Sequence, residues 1–342
     1  MKKRVSLFKN IQTTNTVNKK RVLVIDGTNT FKRAAAVSKV TNDHGMHIGA
    51  MGGFFMSIGY AIKTISPDIV FISFDGKNSN DKRITMFADY KSNRRKMVKK
   101  VIHADLFSTV EEEEAALGHQ FKRLAEYFKY IPLHVHYAGG VEADDILAYI
   151  VKNQYKDCDN YIMTTDTDYY QLINDSITIY NPRIKTFITP NNAKFIFGLS
   201  PNNYLYEKII DGDAGDGIPG IKGIGKGTIK KHVDILYSNT EIRDIDNLLT
   251  ELHGLEGKSK AIEKLKNNDD IIKRNYELIQ LLDITLPDDE LSRLNEAIAT
   301  APRLHPIKFM RASIQDGLTL VLKNEPKWLR EVFSKVDMNV NK

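Results

Sequence analysis

The sequence predicts an α/β protein with a mainly parallel central sheet, followed by a helical second half. Residues 21–25 (RVLVI) and 69–74 (IVFISF) are nearly continuous apolar runs, as expected of strands buried on both faces of a parallel sheet. Residues 133–137, 160–165 and 177–180 read as further strands, and helical stretches at 47–65, 108–130 and 142–153 alternate with them. The strand signal stops near residue 191. The stretches 192–198, 203–210, 226–237, 242–252, 257–265, 269–282 and 288–299 then read as short helices broken by Gly, Pro and Asn. After about residue 320 the pattern allows a last helix around Trp328 or a frayed tail.

A chain of 342 residues is long enough for two domains, or for one domain with a large appendage. Its apolar content of 42% and charged content of 27% are those of an ordinary soluble protein. No apolar run reaches the length of a membrane span, and MKKRVSLFKN lacks the apolar stretch of a secretory signal. The single cysteine, Cys158, excludes an internal disulfide and a multi-cysteine zinc site. The expected compartment is the cytoplasm, and the expected state is a monomer.

Nine acids stand in five short clusters, each where an apolar run ends or a helix begins. They are Asp26 in VLVIDGTN, Asp75 in VFISFDG, Glu142, Asp144 and Asp145 in GGVEADD, Asp166 and Asp168 in IMTTDTD, and Asp213 and Asp216 in DGDAGDG. Any one cluster could merely cap a helix or form a turn. Capping does not explain two or three acids per cluster. Carboxylates gathered at one point resist burial unless cations neutralise them, and oxygen donors suit magnesium. Asp26, Asp75, Asp166 and Asp168 fall at the carboxyl ends of predicted strands, the edge where such sheets place their sites.

Positive charge is distributed unevenly. Residues 1–20 hold six Lys or Arg and no acid, and the rest of the chain is neutral, with 43 basic and 43 acidic residues. Residues 77–103 hold nine basic residues against two acidic ones. An acid-rich centre with separate basic segments fits a polyanionic partner that meets metal ions at one point.

Six ordered motifs between Val22 and about His232 carry a resemblance: VIDGTN, FDG, DYKSNRR, GVEADD, TTDTD and GDAGDGIPGIKGIGKGT. Together they resemble the structure-specific 5′ nucleases, a family that includes flap endonucleases, the 5′ nuclease domain of bacterial DNA polymerase I, and bacteriophage 5′-exonucleases with RNase H activity. The segment YELIQLLDITLP also resembles the phage members. The resemblance implies a PIN-like nuclease core over 21–190 with a helical arch at about 77–107. It also implies a helical DNA-binding subdomain over 191–320 with a helix–turn–helix of the H3TH type at 217–232, and a tail over 321–342. It implies two magnesium ions, with manganese as a substitute. Asp26, Asp75, Glu142 and Asp144 would hold the first, Asp166, Asp168 and Asp213 the second, with Asp145 and Asp216 nearby or acting through water. In the arch, the matching residues imply that Arg83, Lys91 and Arg94 reach the scissile phosphate or the threaded strand, and that Tyr90 stacks on a base.

The stretch GIPGIKGIGKGT nearly matches a nucleotide-binding P-loop, but Gly227 stands where that motif needs Ser or Thr, and no strand precedes it. In the family it grips duplex phosphates and holds a potassium ion by backbone carbonyls. The expected DNA contacts are therefore Gly220, Gly223, Gly225, Lys226, Gly227, Lys230 and Lys231. Gly217 departs from the family's usual Asn. His134 and His136, alternating on one strand, are read as packed or solvated, and Glu111–Glu114 as the exposed start of a helix. The implied substrates are DNA with a 5′ flap, nick or free 5′ end, and RNA in RNA–DNA hybrids, cleaved during primer or flap removal in replication or repair. A sliding clamp met through RVSLF and a single-strand binding protein are candidate partners. Two rivals remain: a PIN-type ribonuclease, and a DNA-junction binder without catalysis.

Overall fold

A computed structural model describes residues 19–300 and 303–339, so the basic extension and its RVSLF segment lie outside the described residues. Six strands form the central sheet: β1 (Arg21–Asp26), β2 (Ile69–Asp75), β3 (His134–Ala138), β4 (Asp159–Met163), β5 (Ile177–Asn181) and β6 (Thr186–Ile188). Their order is β3-β2-β1-β4-β5-β6, parallel except for β6, which pairs antiparallel with β5. The three residues of β6 are too short for an alternation to show, and the sequence reading missed them. From β1 the chain builds outward through β2 to β3, then crosses back to lay β4 on the other side of β1. The crevice between the carboxyl ends of β1 and β4 is thus the switch point where open α/β sheets bind ligands.

Helices cover both faces. On one lie α1 (Gly27–Val37) and α2 (Gly49–Ile65); α3 (Asp81–Met86) and α4 (Ser92–Lys96) follow β2 over the carboxyl edge, and α5 (Val110–Phe128) returns to the first face. The opposite face is covered by α6 (Ala143–Tyr149), which continues as one π-helical turn (Ile150–Gln154), and by α7 (Pro190–Phe197). A third core forms beside the sheet. It contains α8 (Pro201–Asp211), a two-residue hairpin β7 (Gly212–Asp213) and β8 (Ile218–Pro219), and α9 (Lys226–His232). It also contains α10 (Ile245–His253), α11 (Lys260–Lys266) and α12 (Asp269–Ile279).

The last three helices go elsewhere than the grouping 191–320 with a tail expects. α13 (Asp288–Ala299) packs along the edge strand β3. α14 (Pro306–Asp316) and α15 (Glu325–Asn339) return to the first face and bury Phe309, Leu329, Val332, Phe333 and Val336 in its core. Their spacing of three to four residues makes one apolar stripe, which needs a partner face. That face is shaped by Gly52 and Gly59 of α2: a Cβ on Gly59 would lie 2.9 Å from the Trp328 ring.

Candidate active site

Each acid cluster is delivered by the element that precedes it. Asp26 ends β1 and caps α1, accepting from the Asn29 N–H at 2.9 Å. Asp75 ends β2 and accepts from the Ala143 N–H at 2.9 Å, which ties the start of α6 to the sheet. Glu142 is the N-cap of α6, and its N–H donates to Asp145 at 3.2 Å. After β4, the Thr164 hydroxyl donates to Asp26 at 3.2 Å and accepts from the Asp166 N–H at 3.0 Å. Asp213 and Asp216 sit on the β7–β8 hairpin. One carboxylate oxygen from each of Asp168, Asp213 and Asp216 lies within 4.8 Å of the others.

Seven of the nine acids line one cleft of about 220 Å³. The exceptions are Asp213, behind Lys208, and Asp145, which is turned from the cleft onto Arg83. Burial pushes the Asp26 carboxyl up to about 7, and the charges of Asp75, Asp166 and Asp144 add to the shift. Glu142 is also raised, first by burial and then by Asp144. An all-oxygen donor set crowded enough to hold protons near neutrality fits hard divalent cations.

Lys32, Lys91 and Arg94 line the cleft, and four cations of the chain pair with the acids themselves. Arg83 is 5% exposed and makes bonds to Glu142 at 2.5 Å, Asp144 at 3.3 Å and Asp145 at 3.0 Å. Burial opposes its charge, yet those acids outweigh burial and raise its pKa well above the ordinary value. Lys91 pairs with Glu142 and lies 3.8 Å from Asp216, and Arg94 pairs with Asp216. Lys208 of α8 bridges Asp168 and Asp213, the latter at 2.7 Å. Its ammonium pKa is raised because the two carboxylates outweigh burial, and Lys208 in turn holds Asp213 below its usual range despite burial. Sequence reasoning missed Lys208. In YLYEKII it looks like one polar residue of an amphipathic helix, and only its position one turn before the acidic hairpin could have marked it.

The expected roles of Arg83 and Tyr90 differ from their placement. Tyr90 is 2% exposed, and its hydroxyl donates to Glu142 at 2.6 Å, so it presents no face to an unpaired base in this conformation. Arg83 is saturated by carboxylates and by the Leu278 carbonyl, which its Nε meets at 3.0 Å. The reason is local. Residues 77–107 fold down as α3 and α4 over the acids, with Ile84, Phe87 and Tyr90 packed on the third core.

At the Gly-rich turn the glycines divide in two. Gly220 is fixed by packing, since a Cβ would lie 2.1 Å from the Asp211 carbonyl, and Gly223 has φ +80°. Gly225 has an extended φ of −118° and only ordinary contacts, and Gly227 has open space around it. Lys230 and Lys231 are exposed on α9, whereas Lys226 pairs with Glu207 at 3.1 Å. The Lys222 carbonyl accepts from the Lys264 ammonium at 2.7 Å, so a cation of the chain takes one carbonyl of this turn.

Comparison with known proteins agrees with this geometry. Residues 21–198 match the 5′-3′ exonuclease, N-terminal resolvase-like domain. The thermostable DNA polymerase I of Thermus thermophilus is 29% identical over 262 residues, covering 76% of this chain and 28% of that protein. The 5′-3′ exonuclease of Buchnera aphidicola is 27% identical over 275 residues, covering 78% of this chain and 88% of that one. The chain therefore spans about 28% of the length of the polymerase relatives. In fold it is similar to a bacteriophage T5 flap endonuclease solved with DNA and metal ions, with TM-score 0.60, 22% identity, and 91% and 100% of the two chains covered. The match spans all six strands of the central sheet and four of the five acid clusters, and it places this chain in the 5′-3′ exonuclease family.

Proposed function

We propose that this protein is a magnesium-dependent 5′ nuclease that hydrolyses phosphodiesters near 5′ ends of DNA, and of RNA in RNA–DNA hybrids, during primer or flap removal in replication or repair. One observation carries the reading: acids from five separate segments converge at the switch point of the sheet, and the chain's own lysines and arginines neutralise them. Asp26, Asp75, Glu142 and Asp144 would hold one ion, and Asp166, Asp168, Asp213 and Asp216 a second. Bound ions would lower the pKa of a water and stabilise charge on the phosphate.

The chain's own residues do the rest. Asn29 and Thr164 orient Asp26 and the β4 turn. When cations fill the cleft, Lys91 and Arg94 are released from Glu142 and Asp216 and can meet the phosphate, where positive charge is worth most as negative charge develops. Residues 77–107 would then lift as the arch over a single strand, freeing Tyr90 to stack. Gly225, with only an ordinary contact to Asp211, and Gly227, with open space around it, together with Lys230 and Lys231, would grip duplex phosphates.

The test is cleavage of 5′-labelled flap, nicked and single-stranded substrates with magnesium or with chelator. Magnesium-dependent products near the flap junction support the reading. Binding to junctions without products would make the protein a junction binder, and cleavage of RNA alone would make it a PIN-type ribonuclease.

A further inference from the structure

The edge strand β3 ends at Ala138, opposite Asp75, and the next ladder bond is Gly76 N–H to the Ala138 carbonyl at 2.8 Å. Beyond it come Gly139 and Gly140, then Val141 and the acid-bearing turn Glu142–Asp145. Gly140 is in the left-handed region, with φ +81°. Two successive glycines are the most freely rotating link the chain can make; the Asp75–Ala143 bond and Arg83 hold the acid turn beyond them, and its approach from β3 is fixed only if something holds the glycines as well.

Helix α13 supplies that hold. The Gly139 N–H donates to Glu290 at 3.2 Å, and the Gly139 carbonyl accepts from Arg293 at 3.2 Å. Arg293 and Glu290 also pair with each other. Both polar groups of one edge residue are thus taken by a single ion pair from outside the sheet. Glu290 is 0% exposed, and His136 Nε2 lies 3.1 Å from its other oxygen. Burying a carboxylate is costly, and an apolar residue could have served if α13 needed only to pack on β3, as Leu294 already does.

We infer that Glu290 and Arg293 are positioning residues for the metal centre: they clamp Gly139 and thereby set where Glu142 and Asp144 stand. This rests on the metal-binding reading above. Partners hydrogen-bonded directly to a ligand are worth about 10- to 100-fold in metal affinity, and a clamp that acts through the backbone belongs at the lower end of that range. Among the described residues Glu142 and Asp144 make no hydrogen bond or ion pair with α13, so the effect travels along the backbone from Gly139 through Gly140 and Val141.

The experiment measures manganese binding to full-length wild type, Glu290→Ala, Glu290→Gln and Arg293→Ala by electron paramagnetic resonance. Thermal melts and DNA affinity in chelator are measured in parallel. The clamp predicts that Glu290→Ala weakens manganese binding about 10-fold with DNA affinity unchanged. Glu290→Gln, which keeps an acceptor for the Gly139 N–H, should fall between. Manganese affinity at the wild-type value in folded variants would overturn it. If Glu290→Ala does not fold, Arg293→Ala decides at a temperature where its melt shows it folded, because Arg293 is half exposed and its loss leaves no cavity in the core. Failure of the wild type to cleave any 5′-ended substrate would refute the nuclease reading instead, and the manganese measurement would still judge the clamp.

Discussion

Lys208 shows how one residue can hold a site together before any ion arrives. It sits 14% exposed between Asp168 and Asp213, so removing its charge strands two carboxylates in a poorly solvated place. Lys208→Met should destabilise the metal-free protein by about 3 kcal/mol, the usual cost of breaking a buried pair by deleting one partner. In saturating magnesium the loss should shrink, since bound ions replace the missing charge; urea unfolding in chelator and in magnesium measures both. Asp26 makes a second prediction at this scale. Its carboxyl titrates at about 7 instead of the ordinary 3.8, so the folded state binds its proton more tightly than the unfolded state does. Metal-free stability should therefore fall as pH rises from about 4 to about 7. Magnesium competes with that proton, so its affinity should rise over the same window and level off above it. Calorimetry in buffers of different ionisation enthalpy would show the released proton, and a pH-independent affinity would remove Asp26 from the metal site.

At the scale of elements, the Gly-rich turn separates glycines that shape the fold from glycines open to a ligand. Gly220→Ala should lower the melting temperature and weaken metal binding together, because its Cβ meets the Asp211 and Ile210 carbonyls and pushes on the hairpin carrying Asp213 and Asp216. Gly227→Ala, inside α9 with nothing within 4 Å, should leave stability equal or raise it by about 0.5 kcal/mol. It should still weaken binding to duplex substrates if phosphate approaches that backbone. Melts and duplex-binding titrations of both variants check the division. A wild-type duplex affinity for Gly227→Ala would remove the approach. The sequence showed this turn but could not divide it, since φ and neighbouring carbonyls are set by the fold. The clusters at Asp26, Asp75 and Asp166–Asp168 were legible because each follows an apolar strand of the sheet, and period and burial fix where a strand ends; Glu142–Asp145 and Asp213–Asp216 were legible from the acids and glycines of their own motifs. Lys208, the buried Tyr90 and the Glu290–Arg293 clamp were not, because each acquires meaning from a partner 40 or more residues away. The expected arch residues illustrate the difference. Arg83 was expected to reach the phosphate, and its three carboxylate partners could not be read from spacing.

Across the whole molecule, the β3-β2-β1-β4-β5-β6 order explains why distant acids share one cleft and why the C-terminus matters to them. The strands that carry Asp26 and Asp75 are backed by α2, and α2 is backed in turn by α14 and α15. The last helices are therefore part of the nuclease core, although nothing in residues 321–342 advertises a partner, since an amphipathic stripe says only that some face must cover it. Phe333 is fully buried in that core and makes an edge contact with the Trp328 ring at 5.5 Å between centroids. Phe333→Ala should destabilise the protein by about 3–5 kcal/mol through the cavity it leaves. It lies away from the acids, so manganese affinity and single-turnover cleavage should stay at wild-type values at temperatures where the variant is folded. Were residues 321–342 an independent tail, the substitution would leave the melt of the nuclease core unchanged; thermal unfolding followed by near-ultraviolet circular dichroism separates the two outcomes.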